Sequence, residues 1–136
     1  MISSYNSAVQ TVESGSAYVF DTNRIATGCT VGHAAGTSAF TLTKPGYYYV
    51  TFNTTFTTTA TGDVTVELRN GNTLIPGASG TETIATVGDT GSISFTTIVK
   101  VLPSCCTIDN TTTLTFVATG IALDAAVANV NITKLC

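Results

Sequence analysis

The sequence predicts an all-β protein that folds as a single two-sheet sandwich of the jelly-roll type. Of the 136 residues, 29 are threonine, and together with valine, isoleucine and aromatic residues they form short alternating runs. Gly, Asn and Asp, which favour turns, separate these runs. No segment has convincing helical periodicity, including the most helix-like one, 121–130. A chain of 136 residues falls in the common single-domain range, so we expect one domain, 1–136.

The first third of the chain has the weaker alternation and predicts only short strands. Four segments are candidates: 8–12, 17–20, 29–33 and 38–43.

The longest strand is predicted from Gly46 to Phe56. Successive side chains of a strand point to opposite faces, so Tyr48, together with every second residue after it, lies on one face. Tyr47 and Tyr49 then lie on the other face, because the three tyrosines are consecutive. The strand therefore carries aromatic side chains on both sides.

Four further strands complete the pattern. The run 64–68 alternates and is followed by Asn70-Gly71, the strongest short-range hairpin signal. The run 93–101 also alternates and ends at Pro103, which cannot donate to a ladder. The last two strands are predicted at 114–118 and 128–134. About ten strands in a chain of this size favour two packed sheets over one open sheet.

The composition indicates burial against partners. Only 10% of the residues are charged and the mean hydropathy is +0.35, whereas soluble domains carry about 25% charged residues. No run approaches the roughly 18 apolar residues that a membrane helix needs, so we expect no membrane insertion. The net charge is −3 and the five Lys and Arg residues are scattered, so nucleic acid is not an expected partner. The first residues do not resemble a secretory signal.

Tyr47 and Tyr49 are the candidate contact residues. One face of their strand is core, and the other must face solvent or a partner. Large rings with a polar tip are favoured at interfaces, so we expect Tyr47 or Tyr49 to lie in a subunit contact.

No catalytic or metal site is predicted. The single histidine, His33, has no local Ser or Cys partner, and we expect it to be packed or hydrogen-bonded on an early strand. Asp63, Asp89 and Asp124 fall in connections at the same end of a jelly roll, where a structural calcium ion could bridge them. Turn formation through local hydrogen bonds is the simpler interpretation, so we expect no cofactor.

The four cysteines allow two interpretations. Their spacing matches no zinc site, and buried or idle thiols are the simpler assignment. Alternatively, a disulfide forms after release into an oxidising medium. The sequence does not choose among the pairings of Cys136 with another cysteine or with a neighbouring subunit. The cysteines are Cys29, Cys105, Cys106 and Cys136.

The order of the strands resembles the tumour necrosis factor and complement C1q jelly roll over nearly the whole chain. Gly46, Tyr48 and Val50 match the Gly-x-Tyr-x-Val/Phe strand of that family, and Leu68 with Asn70-Gly71 matches a hairpin common in bacterial and phage members. The resemblance implies a ten-strand sandwich that assembles as a homotrimer and carries no catalysis. We expect none of the collagen-like stalk, signal or membrane anchor that better-known members carry.

The resemblance to stand-alone members implies a structural role in a bacteriophage virion. Such proteins decorate the capsid, form head fibres or fibre tips, and stabilise the particle or present a surface to a host or its glycans. They fold in the host cytoplasm without a signal and later meet an oxidising medium, which suits the four cysteines. The expected partners are the protein itself, capsid or other virion proteins and a host glycan. The alternative is a ligand- or carbohydrate-binding module on a bacterial or spore surface.

Overall fold

The computed structural model describes residues 1–102 and 112–135. These residues form twelve strands, and none of them forms a helix that could span a membrane. The strands are β1 (Ile2–Tyr5), β2 (Gln10–Val12), β3 (Ser16–Ala17), β4 (Thr22–Ala26), β5 (Val31–Gly32), β6 (Phe40–Leu42), β7 (Gly46–Thr57), β8 (Gly62–Asn70), β9 (Thr73–Ile84), β10 (Thr90–Val101), β11 (Thr112–Gly120) and β12 (Leu123–Lys134).

The strands form two six-stranded sheets that pack face to face. The first sheet has the order β10-β7-β12-β1-β4, and β2 also pairs with β12. The second has the order β5-β6-β11-β8-β9, and β3 also pairs with β11. All of these pairings are antiparallel. The prediction of an all-β two-sheet sandwich is confirmed.

Aromatic side chains from both sheets fill the centre of the core. Phe52 of β7 stacks on Phe116 of β11 with 4.9 Å between ring centroids. Phe20 meets Phe116 edge to face at 6.0 Å and Phe40 at 5.4 Å. All four rings are fully buried, which ties the two sheets together and brings the segment before β4 into the core.

The later strands follow the sequence prediction closely, and the early ones are shorter than predicted. The segment 121–130 is not helical, because β12 begins at Leu123 and continues to Lys134. Phe20, at the end of the predicted segment 17–20, forms only an isolated bridge with Thr37.

Three strands, β1, β4 and β9, are absent from the sequence prediction. Each is rich in polar residues and takes its conformation from a neighbour. β1 lies between β12 and β4, and β9 pairs along β8 with a register shift between Glu67 and Arg69. These segments are therefore extended because they pair with neighbouring strands, not because their own sequences alternate.

Candidate subunit-contact face

The strand β7 places its three consecutive tyrosines as predicted. Tyr48 is fully buried between the sheets, whereas Tyr47 and Tyr49 point outward and are each 42% exposed. Every second residue from Tyr48 to Phe56 is buried, and all of them except Thr54 are apolar or aromatic. The outward residues of β10, β7 and β12 form one continuous surface, which we call the β7 face.

One half of the β7 face is apolar. Tyr49 pairs directly with Ile98 of β10, which is 56% exposed. Leu135 follows β12, donates its backbone N–H to the Tyr47 carbonyl and is also largely exposed. We call Tyr47, Tyr49, Ile98 and Leu135 the aromatic patch. It is a group of large apolar side chains, on β7, on β10 and directly after β12, that the described residues leave uncovered.

Sequence reasoning missed two members of the aromatic patch. Ile98 occupies the polar side of the β10 alternation, where Ser94 and Thr96 precede it and Lys100 follows it. An apolar residue on an otherwise polar face was the available signal. Leu135 had no such signal, because only the pairing of β12 with β7 brings it beside Tyr47.

The other half of the β7 face is mostly polar, with Val127 exposed on β12 and Asp124 at its end. A shallow groove of about 260 Å³ runs between β7 and β10 and is lined by Thr51, Asn53, Ser94 and Thr96, with Phe52 and Phe95 at its base.

Two side-chain hydrogen bonds link this half of β7 to β12. Asn131 Nδ2 donates to Thr51 Oγ1 at 3.1 Å, and Asn53 Nδ2 donates to Asn129 Oδ1 at 3.3 Å. Lys100 and Asp124 stand at opposite ends of the β7 face, so its centre carries no charge. Charge depletion of this kind is typical of the core of a protein interface.

His33 lies directly after β5 in a cluster of hydrogen bonds between β1, β4 and the β5–β6 connection. Its Nδ1 is 2.6 Å from Asn23 Oδ1, and its Nε2 is 2.8 Å from the Thr37 carbonyl oxygen. The ring stacks on Phe40 with 4.2 Å between centroids. Burial lowers the pKa of His33, and the Thr37 carbonyl opposes that shift. The histidine is therefore a packed and hydrogen-bonded residue, as predicted.

The neighbouring serine does not make this cluster a catalytic centre. Ser4 is fully buried and donates its hydroxyl to Asn23 Oδ1 at 2.6 Å. Its Oγ is 3.5 Å from His33 Nδ1, the nitrogen that already contacts Asn23. A nucleophile needs an exposed oxygen and a base with a free nitrogen, and this arrangement offers neither.

The three aspartates considered for calcium lie at the same end of the sandwich, as predicted. The prediction that all three lie in connections was wrong for two of them, because Asp63 belongs to β8 and Asp124 to β12. Asp63 accepts a hydrogen bond from Thr83 and Asp124 from Thr11, each at 2.7 Å. Over residues 1–102 and 112–135, no three His, Cys, Asp or Glu side chains group as metal ligands would.

Of the four cysteines, Cys29 lies in the described residues, where it is exposed in the connection between β4 and β5. Cys105, Cys106 and Cys136 lie outside the described residues. The proposed disulfide therefore stays a prediction.

Comparison with known proteins identifies the fold. No model of a known protein family and no curated protein matches the sequence. Among solved structures, the PRD1 vertex protein P5 matches with a TM-score of 0.60 and 17% sequence identity, over 99% of this chain and 96% of that one. The Eiger TNF of S. frugiperda matches with a TM-score of 0.68 and 11% identity, over 99% of this chain and 92% of that one. The chain has a tumour-necrosis-factor-like jelly-roll fold.

Murine APRIL matches this jelly roll with a TM-score of 0.51 and 10% identity, over 98% of both chains. The likeness therefore extends over nearly the whole chain in all three cases, and it confirms the fold predicted from the strand order. At such low identity it is a likeness of fold alone.

Proposed function

We propose that the chain assembles as a homotrimer through the β7 face and serves as a non-enzymatic structural protein of a bacteriophage virion. In that role it decorates the capsid, or forms a head fibre or fibre tip, and stabilises the particle or presents a surface to a host or its glycans. The aromatic patch is the observation that carries the proposal. A trimer would cover apolar side chains that residues 1–102 and 112–135 leave exposed.

The physical chemistry of the β7 face supports self-association. Burying apolar surface contributes about 25 cal/mol per Å². Tyr47 and Tyr49 combine a large apolar ring with a hydroxyl, so they tolerate water in the free chain and pack well in a complex. The uncharged centre of the face removes the cost of burying an unpaired charge.

The fold supports the trimer and the virion setting. Trimeric assembly is what the resemblance to the tumour necrosis factor and C1q jelly roll implies. A phage vertex protein, PRD1 P5, has this fold over nearly its whole matched length, which favours a virion role among the settings this fold serves. A non-enzymatic role agrees with the buried Ser4 and the occupied ring nitrogens of His33.

The trimer is tested by measuring mass in solution. Size-exclusion chromatography with light scattering should give three times the chain mass of 14.0 kDa. A variant carrying Tyr47→Ala and Tyr49→Ala should give a smaller species at the same concentration, because the aromatic patch loses both rings.

A matched variant controls for the general loss of exposed apolar surface. Leu74 and Val87 are also well exposed, at 43% and 56%, but lie on β9 and in the β9–β10 connection, outside the β7 face. Replacing both by Ala should leave the trimer intact. A wild-type protein that stays monomeric at micromolar concentration, or a trimer unaffected by loss of Tyr47 and Tyr49, overturns the proposed contact.

The virion role is tested by locating the protein. Mass spectrometry of purified virions should detect it in fixed proportion to the capsid protein, and particle images should place a trimer on the surface. Detection only in bacterial or spore surface extracts would favour the alternative of a surface binding module.

A further inference from the structure

The charged side chains are separated along the length of the sandwich. The connections β7–β8, β9–β10 and β11–β12 meet at one end, and the start of β7 meets the ends of β10 and β12 at the other. Five of the seven described acidic residues lie at the first end, which we call the acidic end. They are Glu13, Asp63, Glu82, Asp89 and Asp124.

Three lysines lie at the opposite end, which we call the basic end. Lys100 pairs with Tyr47 and Lys134 with Tyr48, so they flank the start of β7 on both sides. Lys44 lies just before β7, and its carbonyl accepts a hydrogen bond from Tyr48 Oη at 2.6 Å. Three strands therefore bring these lysines together at one end.

The remaining described charges have local partners. Arg69 forms an ion pair with Glu67. Arg24 lies over the Tyr5 ring, 5.8 Å from its centroid. Asp21 accepts hydrogen bonds from the backbone N–H and the hydroxyl of Ser7. The largest groups of like charge among the described residues therefore lie at the two ends, with five acidic residues at one and three lysines at the other.

The two ends are far enough apart to act independently. A strand of twelve residues such as β7 spans about 40 Å, whereas the Debye length is about 10 Å at 0.1 M salt. The charges of one end therefore do not cancel those of the other, and each end presents its own sign to an approaching molecule.

We propose that the acidic end of one copy docks on the basic end of another, so that the protein stacks head to tail. The second copy is the occupant because this chain itself carries both complementary surfaces. Such a contact joins two different surfaces and does not close on itself, so it produces open rows of molecules. It does not depend on the proposed trimer, although a parallel trimer would triple the charge at each end.

The proposed contact consists of exposed charges, so its strength depends on salt. Light scattering at about 0.01 M salt, where the Debye length is about 30 Å, should give a mass that rises with protein concentration. At about 1 M salt the Debye length is about 3 Å, and the mass should return to that of the unstacked monomer or trimer.

Variants of matched charge distinguish an effect of the basic end from an effect of net charge. Lys100→Gln with Lys134→Gln should weaken association at low salt by about tenfold, because the basic end loses two of its three charges. Arg24→Gln changes the net charge as much as Lys134→Gln alone does, but in the middle of β4 and away from that end, so it should leave association close to the wild-type value.

The acidic end has a corresponding pair. Glu82→Gln with Asp89→Asn should weaken association, and Asp21→Asn with Glu67→Gln should not. An equimolar mixture of the basic-end and acidic-end variants should associate more strongly than either alone, since each retains the surface that the other lacks. Circular dichroism verifies that every variant is folded.

Two results overturn the inference. One is a mass at low salt that does not rise with concentration, and the other is equal weakening by the end variants and their matched controls. The trimer is judged separately from the mass at high salt, so a monomer there refutes the proposed function and leaves the stacking test valid.

Discussion

Tyr18 Oη lies 3.1 Å from Thr54 Oγ1 in the interior of the sandwich. Thr54 in turn donates its hydroxyl to the Val127 carbonyl at 3.0 Å. Val127 follows the register shift at which β12 bulges against β7. Since Thr54 donates to that carbonyl, Tyr18 donates to Thr54. The two hydroxyls thus form a buried relay from the segment after β3 to the bulge in β12.

Replacing Thr54 should lower the free energy of unfolding more than replacing Tyr18. Thr54→Val leaves the buried Tyr18 hydroxyl without its partner and removes the hydrogen bond to the Val127 carbonyl, at a cost of about 1–3 kcal/mol in the free energy of unfolding. Tyr18→Phe removes one hydrogen bond and strands no donor, at about 0.5–1.5 kcal/mol. Urea unfolding at fixed protein concentration measures both values. The double variant should lose less than the sum, and simple additivity would contradict the relay.

Tyr18 should also produce a loss of stability at alkaline pH. Burial raises the pKa of Tyr18 to about 12, whereas a tyrosine of the unfolded chain titrates near 10.0. The unfolded chain releases this proton first, so the stabilisation is complete below pH 10.0 and is lost as the pH rises toward about 12. Tyr18→Phe should show a smaller fall in unfolding free energy across this range. If the free energy of unfolding fell equally with pH in the wild type and in Tyr18→Phe, the loss of stability would not come from Tyr18.

His33 should make the protein less stable at mildly acidic pH. Burial lowers the pKa of His33 below the 6.5 of an unfolded histidine. The unfolded chain therefore binds the proton first, so the stabilisation present above pH 6.5 decreases as the pH falls through the pKa of the folded state. Thermal unfolding at a series of pH values should show a steeper decrease for the wild type than for His33→Gln. A decrease of the same slope in both would assign it to other groups.

Gly120 should be intolerant of any side chain. Its φ is +96°, and a Cβ there would lie 2.1 Å from the Asp63 carbonyl oxygen, at the point where β11 approaches β8. Gly88 has a similar φ of +90° with open space around it, so it provides the matched control. Gly88→Ala should cost about 1–2 kcal/mol from backbone strain alone.

Gly120→Ala should cost clearly more than Gly88→Ala, because the backbone must also move away from Asp63. Comparing the two melting temperatures isolates the steric contribution. Equal losses would indicate that the backbone around Asp63 adjusts without cost.

The sequence predicts the long strands well because their apolar and polar side chains alternate with the two-residue period of a β-strand. Tyr48, Val50 and Phe52 alternate so regularly that the buried and exposed faces of β7 follow directly. The same alternation identifies Tyr47 and Tyr49 as outward residues. The fold class and half of the aromatic patch could therefore be predicted.

Other features depend on contacts between distant segments. Ser4 is fully buried and donates its hydroxyl to Asn23, 19 residues away, and β1 has no apolar pattern to indicate this. Asn23 also donates its side-chain amide to the His33 carbonyl at 2.7 Å. The separation of charge into two ends likewise appears only after the strands are ordered, since acids and lysines are scattered along the chain.

The positions of the tyrosines have an optical consequence. The chain has five tyrosines and no tryptophan, so tyrosine alone supplies its ultraviolet fluorescence. Tyr18 and Tyr48 are fully enclosed, whereas Tyr47 and Tyr49 stand open to solvent on the β7 face. In a dilute sample, iodide should therefore quench mainly the fluorescence of Tyr47 and Tyr49. Quenching should decrease when another molecule covers the β7 face. Tyrosine fluorescence of the unlabelled protein thus reports whether that face is covered.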